Sequence, residues 1–233
     1  MVDLSGEMGG LWTSLGASAP GRARVIQFAA AHRGEGTSTI AREFARFAAR
    51  RAGKTVWLID LDLQGSPQHA AIAADPGLYG ALGKPVSASP DGSMFLTVQP
   101  PQRGADGKPV PDARYVSAYP VGEGRWWVTR FRREVLKGRQ TVHVLPGADY
   151  WNALRKHADL VVVDAPSADR SQAALTVAPF IDQTVLVVAA DQADVRGPAQ
   201  LRDAIATAGG RCAGVFFNRA QVEPPGFLRR ILP

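Results

Sequence analysis

Cysteine is almost missing from this chain: Cys212 is its only one. That excludes an internal disulfide and a cysteine-rich zinc site. Cys212 lies just after a Gly-Gly pair and before an apolar run, so it reads as a small core residue and not as a nucleophile. Histidine is scarce too, with four residues and no HExxH-type spacing. No apolar run approaches the roughly 20 residues that a spanning helix needs. Met1–Glu7 has neither a basic n-region nor an apolar h-region, so a signal peptide is not expected and a cytoplasmic location is. Residues 1–20 hold no arginine, and the closing PPGFLRRILP holds no tyrosine. Disorder throughout is also excluded, since 45% of residues are hydrophobic and only 21% are charged.

What is present fits one domain, or one domain with a large insertion, in 233 residues. Residues 1–23 are rich in Gly, Ser and Ala. They read as a loose arm with Leu11, Trp12 and Leu15 as docking side chains. From residue 24 onward, apolar runs alternate with helical stripes. Strands are expected at 24–30, 55–60, 159–164, 184–189 and 214–218. Ile40, Phe44, Phe47 and Ala48 form one buried helical face between the first two. Strands that are apolar throughout, and not alternating, belong to a sheet covered on both faces. The expected fold is therefore α/β, with a mainly parallel sheet between helices. Residues 73–147 break the pattern with crowded Pro and Gly and short β pieces. They read as a β-hairpin insertion that turns at Gly122-Glu123-Gly124. Its Trp126, Trp127 and Phe131 are read mainly as hairpin core, and less readily as a partner surface.

The net charge of +6 is concentrated. Residues 125–139 carry Arg125, Arg130, Arg132, Arg133, Lys137 and Arg139 against Glu134, a net +5. Such a patch suits an anionic membrane surface, an acidic partner or, less readily, DNA. A solvated face is the plainer reading.

The residues that carry chemistry stand where strands should end, the place where an open α/β sheet binds its ligand. Ala31–Thr39 (AHRGEGTST) joins a strand to a helix. Its Gly34 and Gly36 allow main-chain N–H groups to turn toward a phosphate at a helix N-terminus. Asp60 and Asp62 lie in LIDLDLQG, and Asp164 lies in LVVVDAPS. A single strand-end Asp is often only a helix cap. Three such features in this order say more.

This order of motifs, followed by APFIDQTVLVVAADQ and GVFFNR, resembles the MinD/ParA class of P-loop ATPases. Within that class it is most similar to bacterial tyrosine kinases of capsule and exopolysaccharide systems, over roughly residues 24–72 and 150–219. The resemblance implies that Arg33, Gly34, Glu35, Gly36, Thr37, Ser38 and Thr39 form the phosphate loop. It implies ATP or ADP with Mg²⁺ as cofactor, with the metal held by Ser38, Asp60 and Asp164. Asp60, Asp62 and Asp164 would be the catalytic carboxylates, and Asn218 would read adenine. It further implies a membrane-embedded polysaccharide co-polymerase or export protein as partner, a position at the inner membrane, and homo-oligomer formation.

The sequence also departs from the family. Where the loop should read G-x-x-x-x-G-K-[ST], Ala31 stands for the first glycine and Thr37 for the lysine. His32 takes the place of a second lysine, with Arg33 beside it, and Gln64 takes that of an arginine. A neutral threonine cannot neutralise a phosphate in transfer. The expectation is a kinase-like regulatory subunit of an exopolysaccharide system of the capsule or holdfast type, with weak or no catalysis. An active ATPase or tyrosine kinase is the second reading. A ParA/MinD-like positioning ATPase is the third.

Overall fold

The computed structural model describes residues 3–16, 22–191 and 194–220. The elements run α1 (Ser5–Ser14), β1 (Arg24–Ala29), α2 (Thr37–Ala49), β2 (Val56–Asp60), α3 (Pro67–Ala74), α4 (Pro76–Tyr79) and β3 (Val86–Ser87). Then come β4 (Leu96–Gln99), β5 (Val116–Val121), β6 (Trp126–Phe131), β7 (Thr141–Val144), α5 (Asp149–His157) and β8 (Leu160–Asp164). The series closes with α6 (Ala173–Val177), β9 (Gln183–Ala189), α7 (Arg196–Thr207) and β10 (Cys212–Asn218).

Eight strands form one sheet in the order β10-β9-β1-β8-β2-β6-β5-β3. All five strands expected from the apolar runs lie in it and pair in parallel. Successive residues of β1 enter opposite layers. Val25 and Ala29 join Trp151 and Leu154 of α5 and Leu201 and Ile205 of α7. Ile26 and Phe28 join Ile40, Phe44 and Ala48 of α2. Burial on both faces is why β1, β2, β8 and β9 are apolar at nearly every position. β10 departs from the expected covering, because it ends the strand order and leaves Val215 and Phe217 exposed. The chain passes from β1 toward β2 on one side and later adds β9 and β10 on the other. The crevice at the C-terminal end of β1 is therefore the topological switch point.

Two expectations change. Over residues 5–14 the loose arm is a helix. Met8, Leu11, Trp12 and Leu15 recur at helical spacing. Met8 and Leu15 are buried, and Trp12 packs on Phe44 and Phe47 at centroid distances of 6.0 and 6.4 Å. Burial of that stripe outweighs a glycine cost of about 1 kcal/mol each for Gly9 and Gly10. Residues 17–21 of the arm, and the tail from 221, lie outside the described residues.

The hairpin of residues 73–147 is present as β5 and β6, but it does not stand apart. β6 pairs in parallel with β2 and extends the main sheet. Sheet extension buries both faces of β6. Trp126 and Phe131 are in the core, and Trp127 stacks on Trp57 at 5.6 Å. Trp126 and Phe131 are internal and Trp127 is half-buried against Trp57, which favours the core reading of them over a partner surface. β4 and β7 form a separate two-stranded sheet. Among the described residues no helix is long and apolar enough to cross a membrane.

Candidate functional site: a phosphate-loop cleft

The loop between β1 and α2 turns twice through left-handed glycines, Gly34 at φ 92° and Gly36 at φ 88°. A side chain on Gly36 would meet Asn218 Nδ2 at 2.1 Å, so glycine is required there for close approach as well as for φ. The loop's carbonyls are tied from outside. Asn218 Nδ2 donates to Glu35 O (2.9 Å), and Arg219 donates to Gly34 O (2.9 Å). The buried Glu35 carboxylate accepts from His32 N at 2.9 Å and closes the turn. α2 then begins at Thr37, with its first N–H groups and the positive end of its dipole toward the cleft.

Opposite the loop stand the carboxylates. Asp60 and Asp164 are the last residues of neighbouring strands and are directly paired in register. Asp60 accepts from the main-chain N–H of Asp62 (2.9 Å) and of Gln68 (3.0 Å), one on each oxygen. Asp62 Oδ1 accepts from Gln64 N (3.1 Å) and Gly65 N (3.0 Å), while Oδ2 faces Arg170 at 3.4 Å. Asp164 Oδ2 accepts from Gln68 Nε2 at 2.6 Å; its Oδ1 is buried with no hydrogen-bond partner. Burial, then the negative charge of Asp164, pushes the Asp60 carboxyl well above the usual range. Burial raises Asp164 to about 6, against the opposing pull of the Ser38 hydroxyl and the Gln68 amide.

Arg33, Gly34, Gly36, Thr37, Ser38, Thr39, Asp62 and Asp164 line one cleft of about 450 Å³. Three residues named from the sequence stand elsewhere. Asp60 is buried beside Asp164 and does not line the cleft; its satisfied oxygens shape the turn into α3. Glu35 is buried inside the loop as its internal tie. Asn218 clamps the loop from behind and lines a second cleft of about 910 Å³ with Arg42 and Tyr79. His32 lines the phosphate cleft, but its ring faces carboxylates, Asp194 at 2.6 Å and Asp169 at 3.9 Å. The hydrogen bond to Asp194 raises its pKa, and the ring is held on that carboxylate.

Sequence reading missed Gln68 and Arg170. Gln68 is fully buried and joins three parts of the site. Its amide reaches Ser38 O (2.8 Å) and Asp164, its N–H holds Asp60, and its Oε1 accepts from Arg42 (3.1 Å). Pro67 at the first turn of α3 was the available signal, because it places the next residue at a helix start.

No protein-family model matches the chain, and no characterised protein matches it by sequence. Solved structures do match. The kinase domain of the Escherichia coli tyrosine kinase ETK superposes with a TM-score of 0.62 at 17% identity, covering 95% of this chain and 79% of that one. The chain has the fold of these kinase domains and of the MinD-type ATPases. The cell division ATPase MinD of Pyrococcus furiosus matches with a TM-score of 0.56 at 17% identity, over 90% of this chain and 79% of its own. A nucleotide-binding protein of Archaeoglobus fulgidus, solved in complex with ADP, matches with a TM-score of 0.54 at 17% identity, over 87% of this chain and 69% of its own.

Proposed function

We propose that this protein is a nucleotide-binding, kinase-like regulatory subunit of exopolysaccharide biosynthesis and export, of the capsule or holdfast type. It would act at the inner membrane with a polysaccharide co-polymerase or export protein. The observation that carries the reading is the contrast within one cleft. The glycine turns, the helix start and the strand-end carboxylates are kept, while Thr37 stands at the lysine position. Binding through main-chain N–H groups does not depend on that side chain; acceleration of transfer does.

The residues present fit ATP or ADP with Mg²⁺. Asp164 Oδ1 is a buried oxygen with no partner, at a cleft that Ser38 also lines, and a cation would satisfy it. Ser38 and Asp164 would hold the ion, with Asp60 beside Asp164. When bound, the ion neutralises phosphate charge. Nucleotide titration by calorimetry tests this. ATP should bind, more tightly with Mg²⁺ than without, and Asp164→Ala should remove the Mg²⁺ dependence. Lack of binding with and without Mg²⁺ would leave a fold kept for docking alone.

An active ATPase or tyrosine kinase is the second reading, favoured by the arginines Arg33 and Arg170 on the cleft wall. DNA binding by a ParA-like positioning ATPase comes third.

The basic segment is the proposed contact to anionic lipid. Part of its charge is already engaged: Arg130 and Arg132 face Glu134 at 3.1 and 3.8 Å, and Arg133 donates to Gln64 O at 2.8 Å. Vesicle binding should fall steeply with salt, since screening acts within about 10 Å at 0.1 M. It should drop on joint replacement of Arg130, Arg132 and Arg133 by glutamine. Unchanged binding after that triple replacement would reduce the segment to a solvated face.

A further inference from the structure

We propose that Arg170 is the cation that meets the terminal phosphates of a nucleotide in this cleft, where Thr37 has removed a lysine, and that Asp62 holds it there beforehand. This rests on the nucleotide reading above. Among the described residues, three basic side chains line the cleft: His32, Arg33 and Arg170. His32 is committed to Asp194 and Asp169. Arg33 and Arg170 are both exposed, but among the described residues no partner holds the Arg33 guanidinium, and only its main-chain N–H is bonded, to Asp169 at 3.2 Å. Arg170 stands beside a carboxylate of the site, with both terminal nitrogens 3.4 Å from Asp62 Oδ2.

Its backbone is well placed for this task. The turn that carries it follows β8 and is pinned to the start of the phosphate loop, Ala168 N to Ala30 O (2.9 Å) and Asp169 N to Ala31 O (3.2 Å). Arg170 N closes the turn on Ser167 O at 2.9 Å. The base of the side chain therefore moves with the loop that would bind phosphate. The guanidinium fork matches two phosphate oxygens, which carry more charge than one carboxylate. The pair with Asp62 is loose, and Arg170 is 43% exposed, so it is a weak tie that a phosphate chain can displace. On exchange Asp62 Oδ2 is released, while Oδ1 stays on Gln64 and Gly65.

Binding of ATP, tripolyphosphate and adenosine to the full chain tests the proposal. Arg170→Ala should weaken ATP and tripolyphosphate by roughly ten- to a hundredfold, the worth of charged hydrogen bonds, and leave adenosine unchanged. Arg170→Lys should recover part of the loss. Asp62→Asn should tighten ATP by roughly two- to fivefold with Arg170 present, and by less in the Arg170→Ala background. Equal ATP affinity for wild type and Arg170→Ala would overturn the role of Arg170 while leaving nucleotide binding intact. An Asp62→Asn gain of equal size in both backgrounds would mean that Asp62 only repels phosphate and holds nothing. A wild type that binds neither ATP nor tripolyphosphate would overturn the nucleotide reading, and this proposal with it.

Discussion

Replacing Asp164 by asparagine will stabilise the fold at neutral pH and remove Mg²⁺-dependent nucleotide binding. Asp164 is buried against Asp60 with one oxygen unpartnered, and its pKa is raised from 3.8 to about 6. A carboxyl raised in the folded state favours folding while it stays protonated and loses that contribution as pH rises through the folded value. Its contribution is thus complete below the unfolded value near 3.8 and gone above about 6. A shift of about two units corresponds to about 3 kcal/mol. The Asp164→Asn variant lacks this titration. Its advantage in denaturant unfolding should be near zero at pH 4 and grow to about 3 kcal/mol at pH 7.5, roughly 6–12 °C in Tm for a chain of this size. A variant less stable than wild type at pH 7.5 would show that the Asp164 charge is already compensated. On the proposed nucleotide reading, ATP with Mg²⁺ should narrow the gap by stabilising wild type alone.

Restoring the lysine is the second large effect. Thr37 is the first residue of α2 and lines the cleft. Thr37→Lys should tighten ATP binding by tenfold or more and raise hydrolysis by roughly 10²–10³ over a wild type with little or none. Without nucleotide the new charge faces the positive end of α2, so the free protein should lose roughly 0.3–1 kcal/mol. Turnover of wild type, Thr37→Lys, Asp164→Ala and the double variant under one condition decides it. Strong wild-type turnover that Asp164→Ala abolishes would make this protein an enzyme as it stands.

The parallel strands were legible because burial on both faces leaves an unbroken apolar run, as in LVVVD at Leu160–Asp164 and TVLVVA at Thr184–Ala189. The loop was legible because Gly34 and Gly36 are needed for φ, and the carboxylates because they end such runs. The helix at 5–14 was not legible: Gly6, Gly9 and Gly10 masked a stripe whose stability comes from Phe44 and Phe47, distant in sequence. Nor was the fate of the aromatics in β6, since local alternation does not tell a free hairpin from a strand that joins the edge of β2.

Composition and pattern alone determined the fold class and the motif order, because those depend on residue type and short-range spacing; that Thr37 stands where a lysine is expected is what the family resemblance implies. The tertiary structure alone decided which groups share the cleft. It set Asp60 beside Asp164, tied His32 to Asp194, placed Gln68 between Ser38 and Asp164, and brought Arg170 to Asp62 across 108 positions of chain. Contacts between residues so far apart follow from strand order in the sheet, and strand order leaves no mark on the local sequence.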